Sequence, residues 1–513
     1  MKYRIQEYPD LWEKVKSMSP EELLMEVVCP DLWKGREPIR NTGAVFIHPT
    51  DREDAFAKAA EVNRDREIPA LIASDLEYGA GNMIRGATVF PSLRAVAETG
   101  DEALAYRMGA IAAQEACAAG YRWAFGPCVD ILGDPFNPIV SIRTPGEDAD
   151  TVIRFGGAYM RGMQDNGLIA AIKHFPGDGY GPVDQHVSTA QNPLSREEWD
   201  ASFGKVYRAL IDQGAKSVMI GHIGLAAYDE IDPEYGIAPP ATVSKNLMTH
   251  LLKEKLGFEG LIVSDAVNMG GLAGYCYLYE AFARFLEGGG DCLLFVRNLE
   301  EYRVKMLEQM EAGVLTLESL QNRAWRMLCF RREAAEEAAG RTFEPVDSVL
   351  AENTARAVGA GCVKVVRDRR KVLPLRLTKA SRVAHVILFN DGYKDFSVTD
   401  DLTRRLSEVC EVEALPDPGP EKLRRIAASG EYEAIVVSVL CRQTYGTNAI
   451  RLSGPMARNM SWGWMKYGVP TVFVSYYSPY FGEEYPAAVD TLINTYGVNL
   501  FTNEGVIRLL LGQ

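Results

Sequence analysis

The sequence predicts an α/β protein in which a (β/α)8 TIM-type barrel is followed by a smaller α/β open-sheet domain. Up to about residue 300, short apolar runs alternate with amphipathic stretches, as strands alternate with helices in repeated βα units. The runs are apolar throughout, which is typical of parallel strands covered on both faces. Seven such units favour a closed barrel in which one strand is missed or irregular.

Each predicted barrel strand is a short apolar run, and the runs lie at 43–48, 70–75, 123–130, 168–174, 217–222, 261–265 and 292–297. Amphipathic stretches predict the helices between them, at 54–64, 102–118, 148–166, 196–213, 244–255 and 277–287. Several strands end in polar residues, namely Asp75, Lys173, His174, His222, Asp265 and Arg297. Because the carboxyl ends of barrel strands converge on one face, these residues predict a functional site there.

The chain divides into three predicted regions. The barrel domain spans 1–338 and ends in a long charged helix over 300–338. Residues 339–360 mix charge, glycine and a proline, which indicates a linker. Residues 361–513 carry a second α/β pattern, which predicts a smaller open parallel sheet between helices, an αβα sandwich. Its apolar runs lie at 383–389, 434–440, 471–475 and 491–495.

Composition excludes several classes of function. The net charge of −14 and the lack of a long Lys/Arg run argue against binding to nucleic acid or to anionic membranes. There is no apolar stretch of about 18 residues that would predict a membrane span. Residues 1–16 lack the basic-then-apolar layout of a signal peptide. The nine cysteines are scattered without a Cys-x-x-Cys pair, which indicates reduced thiols, so we expect a cytoplasmic protein.

The segment from Lys173 to His186 is the richest in polar, glycine and proline residues. It reads Lys-His-Phe-Pro-Gly-Asp-Gly-Tyr-Gly-Pro-Val-Asp-Gln-His, and its glycines and prolines predict an irregular loop. A dinucleotide-binding loop would have to open a helix, which Pro182 disfavours. A metal site made of His174, Asp184 and His186 would lack further ligands at a recognisable spacing. A glycine-rich connection without chemistry is the third alternative.

We favour a catalytic loop, because Asp184 and His186 are two residues apart and can face the same side of it. A carboxylate beside an imidazole fixes the tautomer of the ring and stabilises its protonated form, so His186 could exchange protons near neutral pH. Lys173 and His174 can donate hydrogen bonds to a polar ligand. Asp265, at the end of its strand, could be a nucleophile, a base, a metal ligand or a helix cap.

These motifs resemble those of glycoside hydrolase family 3, in its β-N-acetylglucosaminidase branch. That branch carries K-H-F-P-G-x-G followed by D-x-H, and both parts stand here at the expected separation. The segment 263–269 is similar to the nucleophile segment of the family. The resemblance covers roughly residues 20–300 well and 355–513 more weakly. Supporting stretches lie at 71–75, 89–91, 125–130, 137–143, 146–148, 470–475 and 479–480.

The resemblance implies a role for each candidate site residue. Asp265 would be the nucleophile that forms a glycosyl-enzyme intermediate, and His186, held by Asp184, would be the general acid/base. The sugar at the cleavage point would be bound by Asp75, Arg143, Lys173 and His174. The implied reaction needs no cofactor and no metal, and its partner is a small carbohydrate. The sequence does not determine the oligomeric state.

Two departures from the family pattern affect what we expect. Asp178 stands where the family commonly has histidine, which adds negative charge near the site and bears on substrate preference. The chain also ends near where the second domain of the family usually continues, so that domain is short or the chain is truncated.

The leading hypothesis is a retaining, exo-acting β-N-acetylhexosaminidase acting on small soluble glycans. A phosphorylase that uses the same intermediate, a β-glucosidase and a catalytically silent sugar-binding protein are the alternatives. The presence of Asp184, His186 and Asp265 together argues against the silent protein, because a binder does not need all three.

Overall fold

The computed structural model describes residues 5–343, 346–390, 393–443, 445–446 and 450–513. The chain forms two compact units. The first consists of Met1–Val89, Ala105–Asp134 and Thr144–Ala351. The second consists of Phe90–Leu104, Pro135–Arg143 and Glu352–Gln513, so two short segments from the first third of the chain belong to it.

The first unit is built on a nine-stranded parallel sheet, which confirms the predicted barrel. The strands are β1 (Val28–Cys29), β2 (Asp31–Leu32), β3 (Ala44–Ile47), β4 (Leu71–Ser74), β5 (Trp123–Cys128), β6 (Ile169–Phe175), β7 (Ser217–Ile220), β8 (Leu261–Ala266) and β9 (Cys292–Leu294). They follow one another around the sheet in the order β1-β9-β8-β7-β6-β5-β4-β3-β2. Their side chains are almost all buried, as expected for parallel strands covered on both faces.

Pro30 explains why the sequence showed only seven strands. It separates β1, which pairs with β9, from β2, which pairs with β3. These two-residue strands lie at opposite ends of the sheet order, so the backbone at Pro30 nearly closes the barrel. Proline has no N–H to give to a sheet, and strands this short leave no apolar run to detect.

Helices and short 3-10 or π segments connect the strands of the first unit. Two helices replace the single predicted helix over 300–338, because Gly313 adopts a positive φ of 75° and ends the first of them. The helical segments are Pro9–Ser17, Pro20–Glu26, Arg52–Val62, Glu102–Ala118, Ala149–Asp165, Arg196–Ala201, Phe203–Asp212, Ala241–Val243 (3-10), Asn246–Lys255 (π), Gly270–Ala273, Leu278–Gly288, Leu299–Glu311 and Leu317–Ala339. Short two-residue strands pair Thr50–Asp51 with Ile84–Arg85, and Ala190–Gln191 with Ile223–Gly224.

The second unit contains a six-stranded mixed sheet. Its strands are β10 (Lys364–Asp368), β11 (Arg382–Phe389), β12 (Glu411–Pro416), β13 (Ala434–Leu440), β14 (Thr471–Ser475) and β15 (Thr491–Asn494). They lie in the order β10-β15-β14-β13-β11-β12. The edge strand β10 is antiparallel to β15 and the other pairs are parallel, whereas a fully parallel sheet was predicted. The helical segments are Leu93–Thr99, Ser141–Arg143 (3-10), Ser397–Ser407, Pro420–Ser429, Gly454–Arg458, Trp464–Lys466 (3-10), Phe481–Glu484 and Thr502–Leu511.

The predicted linker, 339–360, contains most of the helix Ser348–Gly361. Its residues 344 and 345 lie outside the described part of the chain. The domain limits 1–338 and 361–513 therefore stay a prediction. In the part of the chain that the structure describes, no helix has both the length and the apolar character that crossing a bilayer requires.

Candidate active site

Lys173 lies near the end of β6 with its side chain only 4% exposed. Its Nζ atom donates to Asp75 Oδ1 at 3.0 Å and lies 2.6 Å from Glu77 Oε1. Asp75 follows β4, so the two strand ends meet here, as the sequence predicted. Two carboxylates beside one buried ammonium group offset the cost of burying its charge. Glu77 was not predicted, because it lies in a loop with no pattern of its own.

His174 is held by Asp130, which is completely buried. Asp130 Oδ2 accepts from His174 Nδ1 at 2.7 Å, and Oδ1 accepts from the backbone N–H of Asp178 at 2.8 Å. Burial alone would raise the pKa of Asp130, but the His174 imidazole and these hydrogen bonds lower it below its ordinary value. The carboxylate therefore stays charged and fixes the orientation of the His174 ring.

Cys128, Asp130 and His174 also form a group whose ligand atoms lie within 4.8 Å of one another, close enough to hold a metal ion. Cys128 Sγ donates to Asp130 Oδ2 at 3.1 Å, so the three groups satisfy one another by hydrogen bonds. The trio that the sequence offered as metal ligands was His174, Asp184 and His186, and it shares only His174 with this group.

Asp184 and His186 form the predicted carboxylate–imidazole pair. The Asp184 side chain is fully buried, and its Oδ1 lies 2.7 Å from His186 Nδ1. The His186 side chain is 31% exposed, so the ring can reach a ligand while its partner cannot. Such a pair can move a proton at the other ring nitrogen.

The loop that carries His186 is hydrogen-bonded to the segment that follows Asp265. The backbone N–H groups of Gly270 and Gly271 donate to the carbonyls of His186 and Gln185, at 2.8 and 3.0 Å. A Cβ at either glycine would lie about 2.5 Å or less from a backbone carbonyl oxygen of the loop, so only glycine permits this approach. The structure therefore holds the predicted acid/base and the predicted nucleophile together.

His222 provides a second link between these segments. Its Nε2 donates to the Ala266 carbonyl at 3.0 Å, and its backbone N–H donates to Gln185 Oε1 at 2.8 Å. Burial lowers the pKa of His222, so the ring is neutral and its Nδ1 accepts from the Thr242 hydroxyl. The sequence showed His222 as a strand end but did not assign it a role.

Three imidazoles affect the charge of Asp265. Burial by itself would raise the pKa of this carboxyl group, but His174, His222 and His186 lower it, together with the Ala266 backbone N–H. The net pKa lies below the ordinary value, so Asp265 is a carboxylate at neutral pH. An ionised carboxylate is the form that a nucleophile requires.

Arg143, the remaining predicted site residue, belongs to the second unit. It ends the 3-10 helix Ser141–Arg143, and its backbone N–H donates to the Val140 carbonyl at 2.8 Å. Its Nη1 donates to the Ile139 carbonyl at 3.3 Å. The sugar-binding role of Arg143 stays a prediction.

Comparison with known proteins identifies the family. Residues 38–330 match the profile of the glycosyl hydrolase family 3 N terminal domain. The chain belongs to glycosyl hydrolase family 3. A relative from Cellulomonas fimi, named β-N-acetylglucosaminidase/β-glucosidase, is 34% identical to this family 3 chain over 503 residues, covering 92% of the chain and 87% of the relative. β-Hexosaminidase A from Pseudoalteromonas piscicida is 25% identical over 71% of the chain and 63% of the relative.

Solved structures show the same family 3 architecture. The β-glucoside phosphorylase BglX superposes with a TM-score of 0.89 and is 29% identical, covering 100% of this chain and 94% of that one. A family 3 β-N-acetylglucosaminidase from Paenibacillus sp. str. FPU-7 has a TM-score of 0.83 at 23% identity over 97% of both chains, a likeness that shows the fold alone. The two family 3 relatives carry names of glycosidases, and a phosphorylase stands among the solved structures that match.

Proposed function

We propose that this family 3 enzyme is a retaining, exo-acting β-N-acetylhexosaminidase. It would hydrolyse terminal β-linked N-acetylglucosamine from small glycans through a glycosyl-enzyme intermediate. The observation that carries this proposal is the pair formed by the buried Asp184 and the partly exposed His186, on a loop hydrogen-bonded to the segment that follows Asp265. The names of the Cellulomonas fimi and Pseudoalteromonas piscicida relatives support the choice of glycone.

In the first step, an Asp265 oxygen attacks the anomeric carbon while the bond to the leaving oxygen breaks. His186 gives its Nε2 proton to that oxygen, so the leaving group departs as a neutral alcohol. In the second step, water attacks the anomeric carbon, its proton passes to His186, and the Asp265 carboxylate is released. Two inversions at one carbon give net retention of configuration.

The glycone would be bound by Asp75, Arg143, Lys173 and His174. Lys173 and His174 are almost fully buried, and their partners Asp75, Glu77 and Asp130 restrict their movement. Donors fixed before binding lose little conformational entropy when a sugar hydroxyl replaces water.

Phosphorolysis is the second candidate, with phosphate instead of water attacking the intermediate. The β-glucoside phosphorylase that matches the whole chain favours it. A neutral imidazole at His186 also repels an incoming phosphate less than a glutamate would. Two features act in the opposite direction, namely the Asp178 carboxylate on the same loop and the net charge of −14. We therefore keep hydrolysis as the leading proposal.

The test is to incubate the enzyme with chromogenic β-N-acetylglucosaminide and β-glucoside, with and without millimolar phosphate, and to identify the products. Free N-acetylglucosamine of retained configuration supports the proposal. Preference for the β-glucoside would change the substrate assignment, and a sugar 1-phosphate as main product would change the acceptor. No turnover of either substrate would overturn the proposed function.

A further inference from the structure

Cys128, Asp130 and His174 form a buried group that joins the ends of two neighbouring barrel strands. Cys128 ends β5 and is in register with Lys173 of β6, the residue before His174. Cys128 and Asp130 are 0% exposed and His174 is 3% exposed. One ligand atom from each residue lies within 4.8 Å of the other two. Thiolate, carboxylate and imidazole are the three side-chain ligands that zinc takes in proteins.

The Asp130 carboxylate links the other two groups through protons. Its Oδ2 accepts from Cys128 Sγ at 3.1 Å and from His174 Nδ1 at 2.7 Å. In a tetrahedral zinc site with bonds of about 2.0–2.3 Å, neighbouring ligand atoms lie about 3.3–3.5 Å apart. A zinc ion in place of the two protons therefore requires these atoms to separate by only about half an ångström.

The Tyr207 hydroxyl is a buried polar group near the same residues. Tyr207 is 0% exposed, and within the described part of the chain its hydroxyl has no hydrogen-bond partner. Burial raises the pKa of Tyr207, and the nearby Asp130 and Cys128 raise it further. A buried polar group without a partner costs about 1–3 kcal/mol. A zinc ion with three protein ligands holds a water in its fourth position, and that water could serve as the partner.

We propose that Cys128, Asp130 and His174 form an inhibitory Zn²⁺ site. On binding, the Cys128 thiol releases its proton to solvent, and the His174 ring carries its proton on Nε2, so that Nδ1 is free to coordinate. The thiolate and the Asp130 carboxylate together balance the two positive charges of the ion. A buried site is thereby left without net charge, which limits the cost of removing the ion from water.

The ion inhibits because it moves a residue that the substrate needs, and this step rests on the proposed function. His174 is one of the proposed glycone-binding residues, and its hydrogen bond to Asp130 sets the orientation of its ring. Zinc replaces that hydrogen bond by two coordinate bonds. Asp130 Oδ1 also accepts from the backbone N–H groups of His174 and Asp178, at 3.2 and 2.8 Å, so a shift of the carboxylate disturbs the loop as well. The metal-free protein is thus the active form.

The first experiment measures binding to protein dialysed against EDTA and then against metal-free buffer. Competition with a chromophoric chelator should show a single Zn²⁺ site with a Kd of about 1 μM or lower. Cys128→Ser keeps a donor to Asp130 but loses the thiolate. Because loss of even an outer partner of a metal site costs about 10–100-fold in affinity, this variant should raise the Kd by about 100-fold or more. Cd²⁺ should give an ultraviolet thiolate-to-cadmium absorption band in the wild type that Cys128→Ser lacks.

Cys276→Ser is the matched control, because Cys276 is half-buried whereas the other cysteines are buried. A thiol that captured zinc by accessibility alone would be this one, so the control should keep the Kd and the absorption band of the wild type. Mg²⁺ should not compete for the site, since magnesium prefers oxygen ligands.

The second experiment follows turnover of chromogenic glycosides as Zn²⁺ is added, with each protein compared with its own metal-free activity. Zinc should inhibit the wild type and Cys276→Ser, EDTA should restore both, and Cys128→Ser should need about 100-fold more zinc for the same inhibition. Equal zinc affinity in the wild type and Cys128→Ser, or no binding at micromolar zinc, would overturn the site. Zinc bound through Cys128 without loss of turnover would overturn the inhibition. If neither glycoside is turned over, the proposed function fails, whereas the binding titrations still decide the metal site.

Discussion

One oxygen of the Asp184 carboxylate accepts two hydrogen bonds from His186, from the backbone N–H at 2.9 Å and from ring Nδ1 at 2.7 Å. A carboxylate only accepts, so Nδ1 carries a proton and the tautomer of the ring is fixed. In the proposed mechanism, Nε2 is then the atom that would exchange a proton with the substrate. Because Asp184 is buried and both bonds lie within three residues, this orientation does not depend on a bound ligand.

We expect His186→Ala and Asp184→Asn to impair substrates with poor leaving groups far more than activated aryl glycosides. Only the former need a proton, and proton transfer contributes roughly 10²–10⁴-fold to rate. The measurement is kcat/KM over a series of leaving groups of different acidity. His250→Ala is the control, since His250 is exposed and pairs with Glu254. The same loss for every leaving group would contradict the acid/base role.

Asp265→Ala should lower turnover by several orders of magnitude without unfolding the protein, because it removes the proposed nucleophile. A slow fluorinated glycoside should label the wild-type enzyme on the peptide that contains Asp265, which mass spectrometry can identify. Far-ultraviolet circular dichroism of the variant checks the fold. A label on any other residue would show that Asp265 is not the nucleophile.

Asp130→Ala should destabilise the protein by about 3–5 kcal/mol, because it leaves the His174 ring, the Cys128 thiol and the backbone N–H groups of His174 and Asp178 without their buried acceptor. Asp130→Asn keeps one acceptor oxygen, so it should lower the free energy of unfolding by less than Asp130→Ala. Urea unfolding gives the free energy, and KM should rise in both variants because the His174 ring loses its fixed orientation. A stability equal to wild type in Asp130→Ala would show that the hydrogen bonds of Asp130 do not stabilise the fold.

Lys253→Met should stabilise the protein, by about 2–4 kcal/mol at pH 7. Burial lowers the pKa of Lys253 to about 7, Asp291 opposes the shift, and Arg323 and Arg326 add to it. The unfolded chain therefore holds an extra proton between about pH 7 and 10, so the wild type gains stability as pH rises through that window. The advantage of the variant should shrink over the same range.

The control for this prediction is Lys255→Met, two residues along the same helix. Hydrogen bonds to Asp200 and Tyr228 outweigh burial and raise the pKa of Lys255, so its titration contributes no such slope. The measurement is the free energy of unfolding of the wild type and both variants at pH 7, 8.5 and 10. A constant difference between wild type and Lys253→Met would show that Lys253 is charged in the folded protein.

Dialysis against EDTA should leave turnover unchanged. The Cys128–Asp130–His174 group is satisfied by its own hydrogen bonds, and the proposed steps use Asp265 and His186. Metal content measured before and after dialysis serves as the control. Activity that falls with EDTA and returns with one added cation would require a different mechanism.

The barrel, and the positions of many candidate site residues at the strand ends, could be predicted because both depend on short-range sequence features. Buried parallel strands are continuous apolar runs, and Asp75, Lys173, His174 and Asp265 lie where those runs end. The Asp184–His186 contact spans two residues, so spacing alone indicated it.

What could not be predicted depends on contacts between distant residues or on exposed strands. Glu77 pairs with Lys173, which lies 96 residues later in the sequence, and nothing in the residues around Glu77 indicates that contact. The edge strands β10 and β12 are largely exposed and polar, so they lack the apolar run by which buried strands are found.

The second unit includes Phe90–Leu104 and Pro135–Arg143 as well as the C-terminal residues. Ser92 donates to the Tyr496 carbonyl, Glu98 pairs with Lys364, and Arg451 stacks on Phe136. A chain cut after Ala351 would therefore lose the partners of two segments that it still carries. For this reason, a single genetic crossover near residue 351 would not transfer the second unit as a complete module.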